Sequence, residues 1–539
     1  MYLNSAFFGG NIFGIEDAAQ AYFGKSAKDL DLAQSSMLIG ILPSPNNYSP
    51  TLGNIKYATE RQNTVLSRMV TNGYVTEAEK ATTEAEVLAY QPMTDTANNE
   101  APHFTQMVLD ELYKKYGEDN VARSGYQVKT TLDLTLQKQL TDNVAGHMAY
   151  IQRNGGSNAG GVAIDPTSGE VRALVGSADW NNSDWGKVNM ATTARQPGSS
   201  FKPIYYSRGL ADNTITPATI LQDVATDFGG YTPQNASRTF SGDVSVRNAL
   251  ARSLNIPAIK VLQKVGIDTA IEQAKTMGIT TIDSNKNYGL ALALGTAEVP
   301  LMQMTNAYAA FANQGQQYDT TIIKQVNDKY DNNIFKAKEK AKTVISKEGA
   351  YLISDILSDN TARAKVFGSS LTVRGNTAAV KTGTTDDSRD AWTIGYTPQL
   401  VVGVWVGNNN NAVMNNGGSG MAGPIWVDTM KQGLQGIADT KFPMPSGITQ
   451  RSVCSSNGGL ASSSGTGTYN EYFLAWGLPT NSCTPVEPPK KQEDTPKEEK
   501  PATETPTTPT TPIVPTTPTD PGTGGGTTPT TPTIPNVTH

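Results

Sequence analysis

Histidine is nearly absent, with three in 539 residues, and cysteine is scarcer still, with two. His103, His147 and His539 stand far apart and outside any metal-ligand spacing, so no His/Cys metal centre and no cofactor are expected. A Ser-His-Asp triad could draw only on His103 or His147, and neither lies in a motif that favours it; both read as surface histidines. No window of about 20 apolar residues occurs, which excludes a transmembrane helix within this chain, and Met1-Tyr-Leu-Asn4 does not open a signal peptide. Dense runs of Lys and Arg are missing as well, and with a net charge of −6 the sequence offers no nucleic-acid surface. The length exceeds one ordinary core, so several domains and a tail are expected. The two cysteines, Cys454 and Cys483, lie among Gly, Ser, Asn and Thr near the end of the foldable region. They are a disulfide candidate that would suit an oxidising exterior, with two buried thiols as the alternative.

What the sequence does hold is a nucleophile signature. In Arg195-Gln-Pro-Gly-Ser-Ser-Phe-Lys-Pro203, Ser199 and Lys202 stand three residues apart just after a Pro-Gly break. The break and the residues beyond it predict a helix with Ser199 at its N-terminus. The spacing is close to one turn and puts the hydroxyl and the amine on one face. An amine kept partly neutral by burial and a neighbouring cation could then take the serine proton. The helix start adds a backbone N–H and a positive dipole end where an oxyanion would form. Ser-x-x-Lys alone is common, but Ser253-Leu-Asn255 and then Lys381-Thr-Gly-Thr384 follow it in that order, and the three together are specific. Acyl transfer from an amide needs each part. Ser199 attacks, Lys202 serves as base, Ser253 relays a proton to the departing nitrogen, and Asn255 orients the substrate or Lys202. Lys381, Thr382 and Thr384 read as lying on an edge strand, where Gly383 lets a substrate approach the backbone. Ser200 is the rival nucleophile, without the spacing to Lys202.

These motifs, with NMATTARQPGSSFKP, ALGTAEVPLMQMTNAYAAFANQG and DAWTIGYTPQL, resemble the penicilloyl-serine transferases, the fold shared by penicillin-binding transpeptidases and β-lactamases. The resemblance implies that the N–H groups of Ser199 and Thr384 form the oxyanion hole. It also implies that the Thr382 and Thr384 hydroxyls hold the carboxylate of D-alanyl-D-alanine and that Ser200 packs beneath the site. The N-terminal stretch YLNSAFFGGNIFGIEDAAQAYFGKSAKDLDLAQSSMLIGILPSPNNYSP, followed by Arg61-Gln-Asn-Thr-Val-Leu-Ser-Arg-Met69, resembles the C-terminal part of a family 51 peptidoglycan glycosyltransferase domain. The whole is similar to a class A, bifunctional penicillin-binding protein of the Gram-positive 1A type. Its glycosyltransferase domain is expected to be truncated at the N-terminus, with the anchor helix, the catalytic Glu-Asp motif and the second glutamate of the family lying outside the chain. Glu16 and Asp17 are adjacent carboxylates but fall outside the catalytic positions and read as a solvated helix face.

The expected organisation is multidomain. An α-helical remnant of a lysozyme-like glycosyltransferase domain (1–99) is followed by a linker (100–157) and an α+β transpeptidase domain (158–438). A small C-terminal segment (439–484) and a disordered Thr/Pro-rich tail (485–539) complete it. Strands at both ends of the large domain and helices between them predict a sheet assembled from distant strands, beginning with a hairpin over Gly161–Gly176. The resemblance implies a D,D-transpeptidase inhibited by β-lactams at the outer face of the cytoplasmic membrane. Its partners would be stem peptides ending in D-Ala-D-Ala and the proteins of wall synthesis and division. Glycan polymerisation is expected of an intact parent carrying a membrane anchor, and not of this stretch. A D,D-carboxypeptidase shares every residue named. A β-lactam sensor or wall-binding module would be acylated without turnover. A class A β-lactamase is disfavoured, because no Glu-x-x-Leu-Asn run lies between Ser253 and Lys381.

Overall fold

The computed structural model describes residues 2–483 other than 5, 11, 52, 92–98 and 284; the tail expected from residue 485 lies outside the described residues. The N-terminal stretch is helical, with α1 (Ile15–Phe23), α2 (Leu32–Ile41) and α3 (Ile55–Thr71). A reciprocal capping box between Asp31 and Gln34 starts α2 and satisfies two otherwise unpaired N–H groups. Phe8, Tyr22, Phe23, Met37, Leu38, Ile41 and Ala58 form a small core of their own. Glu16 is exposed, yet it accepts hydrogen bonds from the Ala27 N–H (2.8 Å) and Ser26 Oγ (3.2 Å). Those bonds, the first above all, lower its pKa and make it the anchor of the turn after α1.

Next comes α4 (Pro102–Tyr116), with proline in its first turn. Here one expectation fails: His103 is only 4% exposed. Its Nε2 hydrogen-bonds with the Gly186 carbonyl (2.9 Å) and its ring meets Trp180 edge-on at 4.7 Å. The reason is position on the helix, since it lies in the first turn beside the buried Ala101 and Phe104. Burial lowers its pKa and keeps it a neutral structural group. His147 is half-buried and pairs with Asp428 (2.9 Å). It sits on α5 (Leu134–Arg153), and among the described residues neither histidine hydrogen-bonds to a residue of the three motifs.

A five-stranded antiparallel sheet forms the centre. Its strands are β1 (Asn158–Ile164), β2 (Val171–Val175), β3 (Ala379–Thr384), β4 (Asp390–Tyr396) and β5 (Val401–Gly407), in the order β3-β4-β5-β1-β2. The first hairpin and the three returning strands thus meet across more than 200 residues of chain, with Val401 opposite Ile164 and Lys381 opposite Ile394. Every residue of β4 and β5 is buried, which explains the uninterrupted apolar run of β5 and a β4 broken only by the buried Asp390 and Thr393, in place of an alternating pattern. The helical insert between β2 and β3 includes α6 (Lys202–Ala211), α7 (Val246–Ala251), α8 (Asn255–Val265), α9 (Leu301–Ala312), α10 (Lys347–Ser358) and α11 (Asn360–Phe367). After β5 comes α12 (Gly423–Gly433). Leu140 and Val144 of α5 join Trp426 and Met430 of α12 in a core with Val402, Val404 and Val406. Leu301 and Met304 of α9 share the other core with Val162 and Ile394. The sheet is therefore sandwiched between helices, and α5, read from the sequence as connector, contributes to its covering.

The C-terminal segment is a four-stranded sheet of β6 (Ile448–Cys454), β7 (Leu460–Ala461), β8 (Thr468–Leu474) and β9 (Ser482–Cys483), in the order β8-β6-β7-β9. A Cys454–Cys483 disulfide joins two of its strands. Glu471 of β8 is fully buried and pairs with Arg247 of α7 (Nε to Oε2, 2.7 Å; Nη2 to Oε1, 2.5 Å). Arg247 also bonds Asp355 of α10 and meets Asp359 at 3.4 Å.

Candidate active site

Pro197 and Gly198 stop the chain after Arg195, and Gly198 takes a left-handed φ of 55°. The helix itself begins at Lys202, so Ser199 lies one turn earlier, in a 3₁₀ turn over Gly198–Phe201. In a 3₁₀ turn, side chains three apart eclipse one another, which keeps Ser199 and Lys202 on one face. Ser199 is half-buried, and among the described residues its hydroxyl has no hydrogen-bond partner. Ser200 is fully buried; its Oγ donates to the Pro197 carbonyl (2.7 Å) and its own carbonyl accepts from the Tyr308 hydroxyl (2.6 Å). It packs under the turn and faces no cleft.

Ser253 owes its placement to a helix ending. After α7 the Leu254 N–H bonds to the Ala249 carbonyl (3.0 Å) and the Ser253 N–H to the Leu250 carbonyl (3.1 Å), the paired bonds of a Schellman motif. That motif needs a left-handed residue, ordinarily glycine, and here Ser253 takes it at φ 64°. The strained turn presents two groups to two different lysines. Its carbonyl accepts from Lys202 Nζ (2.9 Å), and its hydroxyl accepts from Lys381 Nζ (2.7 Å). Lys202 Nζ also donates to the Leu254 carbonyl (3.1 Å) and Asn255 Oδ1 (2.8 Å), while Lys381 Nζ donates to the Thr382 carbonyl (3.0 Å).

β3 is the edge strand of the sheet and runs beside the Gly198–Phe201 turn. Thr382 and Thr384 line the cleft together with Ser199, Ser253 and Asn255, enclosing about 160 Å³. The Thr384 hydroxyl accepts from the Gly418 N–H (3.0 Å) and keeps its proton to donate. The sequence reading left the bare side of Gly383 to a substrate. In the structure, the neighbour that needs it is the protein itself: a Cβ on Gly383 would stand 2.1 Å from the Pro197 carbonyl oxygen. A Cβ on Gly198 would stand 2.5 Å from the Thr384 carbonyl oxygen, and one on Gly295 would stand 2.1 Å from the Gly198 oxygen. Strand and turn are locked backbone to backbone.

Electrostatically the site holds two buried amines, with the Arg252 guanidinium lining the same cleft. Burial is the main cause, with the Lys381 charge second, that pushes Lys202 well below the ordinary lysine range; Asp223 opposes the shift. Burial alone brings Lys381 down to about 7. The three acceptors around Lys202 Nζ match the three N–H donors of an ammonium, and the lowered pKa eases loss of one of those protons, the condition a general base requires.

Several participants carry no motif. Asn235 accepts from the Asn255 N–H (2.7 Å) and donates to both oxygens of the fully buried Asp223 (2.9 Å each), so that carboxylate supports the second motif from behind. Arg252, Ser237, Val366 and Phe367 also line the cleft. Among these, only Arg252 had a sequence signal, adjacency to Ser253.

A half-buried serine one 3₁₀ turn before a buried, low-pKa lysine, in a cleft where a second buried lysine bonds a serine hydroxyl, can equip a serine acyl-transferase. Residues 159–431 match the family described as "Penicillin binding protein transpeptidase domain" and residues 1–70 match "Transglycosylase". Penicillin-binding protein 2D of Bacillus subtilis (strain 168) is 32% identical over 523 residues, covering 93% of this chain and 74% of the relative. Penicillin-binding protein 1F of the same organism is 30% identical over 417 residues, covering 76% of this chain and 57% of the relative. Among solved structures, penicillin-binding protein 1A from Haemophilus influenzae superposes with a TM-score of 0.76 at 24% identity, covering 89% of this chain and 91% of that one, a likeness of fold. The chain belongs to the class A penicillin-binding proteins, in which a transglycosylase segment precedes a peptidoglycan transpeptidase domain.

Proposed function

We propose that the chain cross-links peptidoglycan stem peptides through an acyl-enzyme on Ser199, and that β-lactams acylate the same oxygen. The observation that carries this reading is the convergence of Lys202 and Lys381 on Ser253 beside Ser199. Ser199 Oγ attacks the carbonyl of the penultimate D-alanine while Lys202 Nζ takes its proton. The oxyanion rests on the Ser199 and Thr384 N–H groups, and the terminal carboxylate on the Thr382 and Thr384 hydroxyls with Lys381 nearby. As the C–N bond breaks, the proton that Lys202 took from Ser199 passes through the Ser253 hydroxyl, which Lys381 hydrogen-bonds, to the departing D-alanine nitrogen, and Lys202 is neutral again. An amine of a neighbouring stem then attacks the ester and gives up a proton to neutral Lys202, which returns it to Ser199 Oγ as the ester C–O bond breaks.

The reading places the catalytic domain on the wall side of the cytoplasmic membrane, where that substrate lies, in an environment compatible with the Cys454–Cys483 disulfide. Among the described residues no helix is long and apolar enough to cross a membrane. We assign no glycosyl transfer to Glu16 or Asp17, because Glu16 is engaged by Ser26 and Ala27.

The test is intact-mass analysis after incubation with benzylpenicillin, with peptide mapping, on the wild type, Ser199→Ala and Ser200→Ala. One adduct on the Ser199 peptide, absent only from Ser199→Ala, is expected. An adduct that survives in Ser199→Ala overturns the assignment. With donor and acceptor peptides, release of D-alanine without a cross-linked product would make the enzyme a carboxypeptidase.

A further inference from the structure

We propose that Arg252 forms an anion subsite of the donor cleft and takes a carboxylate of the acyl donor other than the terminal one, an inference that rests on the acyl-transfer reading above. Arg252 is the last residue before Ser253 and lines the same cleft as Ser199 and Thr382. Among the described residues no carboxylate pairs with it. Of its five N–H donors one is used, Nη2 donating to Asn248 Oδ1 (2.8 Å), and Nε is sealed from solvent with no acceptor at all. Keeping a guanidinium half-buried without a counter-charge is costly, and an unpartnered one beside a reaction cleft is what carboxylate recognition requires.

The surrounding charges point the same way. Lys202 and Lys381 are cations or neutral amines. The acid behind the motif loop, Asp223, is fully buried and already accepts from Asn235 and from the Ser241 N–H (2.8 Å). Nothing acidic on the loop therefore competes for Arg252. Peptide donors of this class carry side-chain or α-carboxylates upstream of the scissile bond, and some penicillins carry a carboxylate on the side chain; both present the same group.

The experiment compares second-order acylation rates for benzylpenicillin and carbenicillin, which differ by one side-chain carboxylate, in the wild type, Arg252→Gln and Arg252→Lys. Donor peptides with that upstream carboxylate free or amidated are compared alongside. The carbenicillin-to-benzylpenicillin ratio should fall about tenfold in Arg252→Gln, less in Arg252→Lys, and the difference should shrink in high salt. The free-to-amidated peptide ratio should fall with it. If both rates drop together at constant ratio, Arg252 only braces the turn through Asn248, and the proposal is wrong; constant rates and ratio overturn it equally. If only the penicillin ratio moves, peptide donors do not use the subsite and the proposal for the donor fails. Ser199→Ala in the same series separates the two readings, because labelling that persists there removes the nucleophile assignment whatever Arg252 does.

Discussion

Gly383→Ala tests the reasoning about the site most directly, because the change adds one methyl group and no charge. Its Cβ would lie 2.1 Å from the Pro197 carbonyl oxygen and 3.0–3.1 Å from Ser200 Oγ and N. A carbon and a carbonyl oxygen ordinarily come no closer than about 3.3 Å, so strand and turn must part by roughly 1 Å. Neither side yields easily. β3 is tied along its length to β4, and the turn is held by the Ser200 and Tyr308 hydrogen bonds. Overpacking of this kind costs about 1–3 kcal/mol of stability. Displacing Ser199 from Thr384 by about 1 Å should lower the acylation rate on the order of 100-fold. Stopped-flow acylation with a fluorescent penicillin measures the rate and urea unfolding the stability. Gly146→Ala serves as control, since that glycine lies in α5 at ordinary helical φ with nothing within 4 Å of an added Cβ. It should gain about 0.5–1 kcal/mol and leave acylation alone. A Gly383→Ala protein that acylates within threefold of wild type at unchanged stability would refute the account of strand and turn as one locked unit.

Three further outcomes are expected. At Ser253 the left-handed backbone reverses the usual order, so Ser253→Ala should be less stable than Ser253→Gly by about 1 kcal/mol, while both lose at least 100-fold in acylation; urea midpoints and penicillin labelling read the two effects. Arg247→Met leaves the fully buried Glu471 without its partner and should cost about 3–5 kcal/mol, whereas Asp359→Asn, removing a 3.4 Å contact at 27% exposure, should cost under about 1; similar losses would discount the buried pair. Lys381 titrates near 7 when folded and near 10.5 when unfolded, so between those values the unfolded chain holds the extra proton. Stability should therefore rise with pH across that window, by at most about 1.4 kcal/mol per pH unit relative to Lys381→Met, and show no such slope below pH 7; a difference constant from pH 7 to 9 contradicts the burial argument.

The three motifs were legible because their spacing is itself chemistry: Ser199 and Lys202 are one turn apart, and Lys381 to Thr384 alternate across a strand. The buried strands were legible as apolar runs, and the sheet of distant strands followed from their placement at both ends of the helical insert. Asn235 and Asp223 were not legible. Asp223 ends the strand Ile220–Asp223 and Asn235 lies in the irregular segment beyond it, so their meeting at the site depends on tertiary packing, and no local period links either to Ser253. The start of α6 was misplaced by a turn because the Pro-Gly break marks where the chain turns and not where α-helical bonding begins; Pro203 has no N–H for the Ser199 carbonyl, which accepts from the Lys202 N–H in a 3₁₀ turn instead. His103 was misread because a polar residue on an exposed-looking helix can face inward once another segment, here the loop holding Trp180 and Gly186, closes over it.

The family-matched segment ends at residue 431, yet the support of its second motif does not. α7 carries Arg247 at one end and delivers Ser253 at the other, only six residues apart, and Arg247 is gripped by Glu471 from the C-terminal sheet. A short helix with a strained residue at its C-terminus has little stability of its own, so its position must be imposed from outside. The Arg247–Glu471 pair does this on one side, with Asp355 and Asp359 on a second and the Asn235–Asn255 bond on a third. Because Glu471 is fully buried, that grip cannot loosen gradually in solvent; the C-terminal sheet is either docked with the pair formed or displaced with an ion exposed. The geometry of Ser253 between its two lysines is thus a property of the transpeptidase core and the disulfide-bonded sheet together.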